Sequence, residues 1–193
     1  MIVAVKDIEE AENNFSKLFG AVPVWTGEHP ELGTVNSIFN FSNIYFELLA
    51  SKGEGAGADF VNDRISNQGE GLAGLVLGAD RLDLIRKKIL DKGYRIGEIS
   101  DGYARDNNGN IRKWQNLFLP TSLSRGIFSF LIKHTEGKLI MPNNLKNSSV
   151  KKLDHVVINT NDPDGFIEVY GNVFDIRLAP VSYTHLTLPT SPH

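Results

Sequence analysis

The sequence predicts an α+β fold assembled from tandem strand-helix-three-strand (βαβββ) modules, and three observations predict it. The first is an internal repeat: Ile2-Val3-Ala4-Val5 leads to Asp7, Leu75-Val76-Leu77 to Asp80, and Val156-Val157-Ile158 to Asp162, each followed by an amphipathic segment. The second is spacing, because Asp7 to Gly20, Asp80 to Gly93 and Asp162 to Asp175 are equal distances, so the three units superpose without a gap. The third is a switch from helical to alternating period after each helix.

Taken in order, Ile8, Ala11, Phe15 and Leu18 define the apolar face of the first helix, and Leu82, Ile85 and Ile89 that of the second. Asp7 with Glu10, Asp80 with Asp83, and Asp162 with Pro163 have the pattern of helix N-caps, so these aspartates are read as caps rather than catalytic groups. Strands are predicted around Val22 to Trp25, over Val35 to Phe41 and over Ile44 to Leu49, with a turn at Ser42-Asn43. The second module repeats them as Tyr94 to Ile99, Ile111 to Leu119 and Gly126 to Lys133. The third offers a strand and a helix through about Val173. Ser51 to Gly71, with a helix at Ala58 to Ile65, and Thr135 to Lys152 read as connectors. The expected organisation is modules 1–50 and 70–134 in one domain, a linker at 135–152, and the start of a second domain at 153–179.

The chain has 193 residues, 41% of them hydrophobic and 22% charged, which places it among globular rather than disordered chains. A formal charge of −3 leaves no basic face for phosphates, so nucleic acid and anionic membranes are poor partners and small molecules better ones. The absence of cysteine removes disulfides, thiolate nucleophiles and cysteine-based zinc sites. No apolar stretch suits a membrane span or signal peptide, so a cytoplasmic protein is expected. Nucleotide-loop, nucleophile-elbow and zincin motifs are missing. From Pro180 the chain resembles a translated sequencing adaptor, so residues 180–193, with His185 and His193, are expected to be a non-native tail.

With the modules in place, the chain resembles the vicinal oxygen chelate superfamily, which includes glyoxalase I, extradiol dioxygenases and bleomycin-resistance proteins. The run Trp25-Thr26-Gly27-Glu28-His29-Pro30-Glu31-Leu32-Gly33-Thr34, followed by Tyr45-Phe46-Glu47-Leu48-Leu49, looks like the glyoxalase-like domain group. The resemblance implies paired modules forming a curled mixed sheet around a cavity. It also implies metal ligands from the first and last strands of each module, for a divalent Fe, Mn, Ni or Zn that acts as a Lewis acid.

Carried over one at a time, the positions give a mixed set. His155 matches a first-strand ligand of the third module, and Glu47 a last-strand ligand or catalytic carboxylate of the first. Ala73 stands at the equivalent place in the second module, and the count from Asp7 lands immediately before Met1, so a ligand there would lie outside this chain. The strand Ile127 to Leu131 has no carboxylate at the matching place and offers Phe130 instead.

Each residue also has a plainer reading: His155 as a hydrogen-bonded surface or core histidine, Glu47 as a solvated strand carboxylate, His29 as a turn cap instead of cavity lining. Arg112 and Trp114 share one strand face and form either an anion-binding and ring-stacking wall or a cation packed on an indole for stability. Arg125, the Lys133-His134 pair and Lys151-Lys152 read as exposed charge at strand ends and linkers.

Two functions remain. One is a metal-dependent lyase or isomerase, or a dioxygenase, acting in the intact protein on a substrate with vicinal oxygens. The other is a metal-free binding module whose cavity is walled by Trp25, Tyr45, Phe130 and Trp114, with no metal held tightly by this chain. Apolar surface on Val156, Ile158 and Val173 points to a homodimer as one assembly.

Overall fold

The computed structural model describes residues 1–142 and 145–178, so the adaptor-like segment lies outside the described residues. Met1–Ile158 form one compact unit and the residues from Asn159 onward another.

The first unit is a closed eight-stranded barrel with the order β1-β4-β3-β2-β6-β7-β8-β5. Strands β1 (Ile2–Ala4), β2 (Trp25–His29), β3 (Thr34–Asn40) and β4 (Tyr45–Ser51) come from the first module. Strands β5 (Gly71–Gly78), β6 (Ser100–Asp106), β7 (Ile111–Phe118) and β8 (Phe128–Glu136) come from the second. In each module the first strand pairs parallel with the last, β1 on β4 and β5 on β8, and the rest pair antiparallel. The modules join at two seams, β2 to β6 through Gly27↔Asp106 and Glu28↔Arg105, and β1 to β5 through a register shift between Ile2 and Val3. Eight tilted strands leave an interior wide enough to be filled by side chains or to hold one small ligand.

The sheet of the first module is buried on both faces. Outside, helix α1 (Ile8–Phe19) lays Ile8, Ala11, Phe15 and Phe19 on Val3, Phe39, Phe41, Phe46 and Leu48. Phe19 takes the place expected for Leu18, which is 68% exposed, because the stripe advances by four residues after Phe15 rather than by three. Asp7 caps α1 as predicted, Oδ1 accepting from the Glu9 and Glu10 amides at 3.0 Å each. Asp80 does not cap helix α3 (Leu82–Asp91): that helix starts after Arg81 without a side-chain cap, and Arg81 pairs with Asp83 instead.

Three strand boundaries differ from expectation. β2 begins at Trp25 rather than Val22, since Pro23 has no amide for the ladder. This puts His29 at the end of a strand, 7% exposed, and not in a loop. No strand forms over Tyr94 to Ile99: Arg86 of α3 donates to the Gly97 carbonyl (2.8 Å) and to Glu98, holding that segment against the helix, and β6 starts at Ser100. The residues around Val156 to Ile158 carry no strand either. A barrel closed on itself has no free edge for another strand to join.

The connector after β4 is more ordered than predicted. Helix α2 (Ala56–Gln68) packs on the β1–β4 side with Phe60, Val61 and Ile65, and a short helix α4 (Thr121–Ser124) precedes β8. After β8 the chain returns to the first module. Asn43 donates to the Leu153 carbonyl (2.7 Å) and accepts from its amide (3.0 Å), and Ser149 donates to the Gly20 carbonyl (2.7 Å). In the second unit, Asp162 accepts from the Gly165 amide at 3.0 Å and caps α5 (Pro163–Phe166). The chain then widens to π-helical turns over Ile167–Val173. Of the three residues expected to be uncovered, Ile158 is 36% exposed, Val156 is half-buried and Val173 is 4% exposed.

Candidate functional site

Strand alternation aims one side chain in two at the barrel axis. On β3 these are Thr34, Asn36 and Ile38; on β4 Tyr45, Glu47 and Leu49; on β7 Arg112, Trp114, Asn116 and Phe118; on β8 Phe128, Phe130, Ile132 and His134. With His29 from β2, and Leu32 and Phe60 from the hairpin and α2, they line a cavity of about 260 Å³. That is near the lower end of the roughly 300–1,000 Å³ usual for small-molecule pockets.

The cavity brings together Glu47, His29, Tyr45, Arg112, Trp114 and Phe130, all singled out from the sequence. Trp25 stands behind it, its ring 5.1 Å from the Arg112 Cζ, and Trp114 lies 6.0 Å from the same carbon. His155 is elsewhere, largely exposed, with Nδ1 2.9 Å from the Asp154 carboxylate.

The polar groups are unevenly satisfied. Asn36 Nδ2 donates to Glu47 Oε1 at 2.7 Å, and His29 Nδ1 shares a 2.9 Å hydrogen bond with Thr34 Oγ1. The His29 and Trp114 rings meet in a T-shaped contact, 5.7 Å between centroids. Arg112 is 4% exposed, yet its Nε has no hydrogen-bond partner, and no ion pair to its guanidinium occurs among the described residues. The Asn36 and Asn116 side-chain oxygens are also buried without partners.

Burial dominates the electrostatics. It holds His29 below the usual imidazole range, against the pull of Glu47 and with the help of the Arg112 charge. It also lowers His134, with Arg112 acting the same way, and raises the Tyr45 phenol, with Glu47 adding to that shift. For Arg112 burial lowers the pKa, while Tyr45 and Glu47 oppose it. A guanidinium nevertheless remains charged in proteins.

Sequence reasoning passed over several contributors. His134, expected as exposed strand-end charge, does reach solvent, but it sits on the inward face of β8 and lines the cavity, with its ring 5.9 Å from Tyr45. The alternation Phe128, Phe130, Ile132, His134 carries that signal. Asn36 and Asn116 had the same signal on β3 and β7. Phe60 had none, because α2 reaches the cavity through tertiary packing, with its ring 4.2 Å from Phe128.

The model of the glyoxalase-like domain matches residues 1–174. The chain belongs to that family. Among curated proteins, no sequence matches it. Solved structures similar to it include a methylmalonyl-CoA epimerase variant from Streptomyces coelicolor in complex with 2-nitronate-propionyl-CoA, at 21% identity and TM-score 0.52, covering 68% of this chain and 91% of that one. A methylmalonyl-CoA epimerase in complex with methylmalonyl-CoA and NH4+ is similar at 20% identity and TM-score 0.53, covering 73% and 94%. A hypothetical protein from Staphylococcus aureus is similar at 14% identity and TM-score 0.58, covering 70% of this chain and 57% of that one. At these identities the likeness establishes the fold.

The divalent metal that the superfamily resemblance implies does not fit the residues present. Of the matching positions within the chain, Ala73 offers a methyl group, and Phe130 packs its ring on Phe118 and Phe128. Among the described residues Glu47 is the one carboxylate lining the cavity, and it accepts from Asn36. No group of three or more His, Asp or Glu side chains suited to an ion occurs among the described residues. No helix among them is long and apolar enough to cross a membrane.

Proposed function

We propose that this glyoxalase-like chain is a metal-independent small-molecule binder, in which the barrel cavity takes up a flat, mostly apolar ligand. The observation that carries the reading is the composition of the cavity wall. Trp114, Tyr45, Phe60, Phe118, Phe128 and Phe130 supply ring surface, and a few fixed polar groups interrupt it, which is how orientation-specific ligand pockets are built. The epimerases with the same fold take acyl-CoA ligands according to their descriptions, so methylmalonyl-CoA belongs among the compounds to be tried.

The test is ligand-dependent quenching of the protein's tryptophan fluorescence. Of its two tryptophans, Trp114 lines the cavity and Trp25 packs behind it on Arg112, so an aromatic occupant is expected to change the signal. A panel of planar aromatic compounds is expected to quench saturably, and a panel without a saturable member would overturn the reading.

The metal-dependent isomerase or dioxygenase reading requires a ligand set that Glu47 and His155 do not form together. Elemental analysis after dialysis is expected to find less than stoichiometric Fe, Mn, Ni and Zn. One equivalent of any of these retained per chain would restore that reading.

A further inference from the structure

Arg112 is the least reconciled group in the barrel. A guanidinium carries five N–H donors and no acceptor, and buried donors in folded proteins are almost always paired. Here the side chain is 4% exposed, Nε is sealed without a partner, and among the described residues neither terminal nitrogen has a hydrogen bond or ion pair. Glu47 faces the same cavity and exerts its field on Arg112, but it takes its hydrogen bond from Asn36, so the fork of the guanidinium stays open.

The surroundings are shaped to hold that fork. The rings of Trp25 and Trp114 flank Cζ at 5.1 and 6.0 Å. Room for each indole comes from a strand glycine. A Cβ on Gly27 would come within 2.6 Å of the Trp25 Nε1, and a Cβ on Gly102, the β6 partner of Trp114, within 2.5 Å of the Trp114 Nε1. Glycine inside a strand weakens it and marks a place where another group must approach closely. Two such places, on β2 and β6, bed the two rings that flank one cation. Stability alone does not account for a cation so placed, because the indoles satisfy its charge face-on and leave the in-plane donors empty.

We propose that Arg112 is an anion receptor inside the cavity, and that the ligand is a planar aromatic or conjugated carboxylate whose two oxygens meet the guanidinium fork while its apolar body lies among the rings. Arginine matches carboxylate geometry with two parallel hydrogen bonds, which a lysine ammonium cannot do. The proposal rests on the small-molecule reading above and names the ligand class for the same cavity.

Isothermal titration of the full chain with 2-naphthoate and with its neutral analogue 2-naphthylmethanol separates the two claims. The wild type is expected to bind the carboxylate at least about tenfold more tightly than the alcohol, in keeping with a charge-assisted pair in a dry site. R112M is expected to abolish the preference for the carboxylate over the alcohol, and R112K to retain only part of it. Equal wild-type affinities for the two probes would overturn the anion receptor and leave the cavity as a binding site. Binding of neither would overturn both readings. Should R112M fail to melt cooperatively, the wild-type pair of titrations decides by itself.

Discussion

At the scale of single residues, the site is a set of inward positions whose burial was bought with few partners. Glu47 lies in the same field as Arg112 and binds Asn36. E47Q keeps an oxygen for the Asn36 amide and removes the opposing charge. It should therefore tighten 2-naphthoate binding several-fold and leave the neutral analogue unchanged, a difference calorimetry reads directly.

His29 makes a second prediction at this scale. Its pKa is lowered in the folded state, chiefly by burial, with Arg112 adding and Glu47 opposing; Tyr45 and His134 are the other titratable groups of this cavity. An imidazole lowered on folding takes its proton more readily in the unfolded chain. Stability is therefore fully present above the ordinary histidine range near 6.5 and is lost as pH falls below it, by at most about 1.4 kcal/mol per pH unit. H29Q should flatten that acid limb, as followed by urea denaturation at pH 7 and pH 5, and an unchanged slope would assign the limb to other groups.

At the scale of elements, the two predicted caps can be told apart. Asp7 accepts from two amides at the start of α1 while Asp80 accepts from none at α3, so D7A should cost about 1 kcal/mol and D80A less than about 0.5 kcal/mol in denaturant titrations. Equal costs would mean that the local pattern, and not the hydrogen bond, is what matters. The Gly102 position on β6 tests the bed under Trp114. G102A puts a methyl group into the indole and should cost about 1–3 kcal/mol while weakening carboxylate binding, because the ring must leave its place beside Arg112.

The same scale shows how far local pattern reached. The α1 stripe, the strand pairs β3–β4 and β7–β8, and the shared face of Tyr45 with Glu47 and of Arg112 with Trp114 follow from periods of 3.6 and 2, which any reader of the chain can count. The missing strand over Tyr94 to Ile99 and the extended α2 do not follow from them. Arg86 holds Gly97 and Glu98 across a helix-to-loop contact, and Phe60 finds Phe128 from a segment whose own pattern reads as a glycine-rich connector.

At the scale of the whole molecule, closure depends on the seams between modules. The β2–β6 seam has two paired positions, and the β1–β5 seam carries a register shift, whereas β3 and β4 pair along their full length. Amides of Gly27, Arg105 and Asp106 should therefore exchange with deuterium faster than those of Ser37 and Leu48, as resolved by mass spectrometry of peptic fragments. Equal protection would mean that the barrel opens only by global unfolding.

The sequence by itself determined the repeat of the first two modules, the α1 and α3 helices, the strands β3, β4, β7 and β8, the absence of cysteine chemistry and the identity of the inward residues on β4 and β7, because each depends on local spacing or composition. Tertiary structure alone decided that Trp25 and Trp114, from different modules, flank one guanidinium, that Asn36 donates to Glu47, and that His155 stands apart from the cavity. Barrel closure is the physical reason. It sets residues far apart in the chain face to face across an enclosed interior, where desolvation, and not sequence spacing, determines which polar groups find partners and which remain open to a ligand.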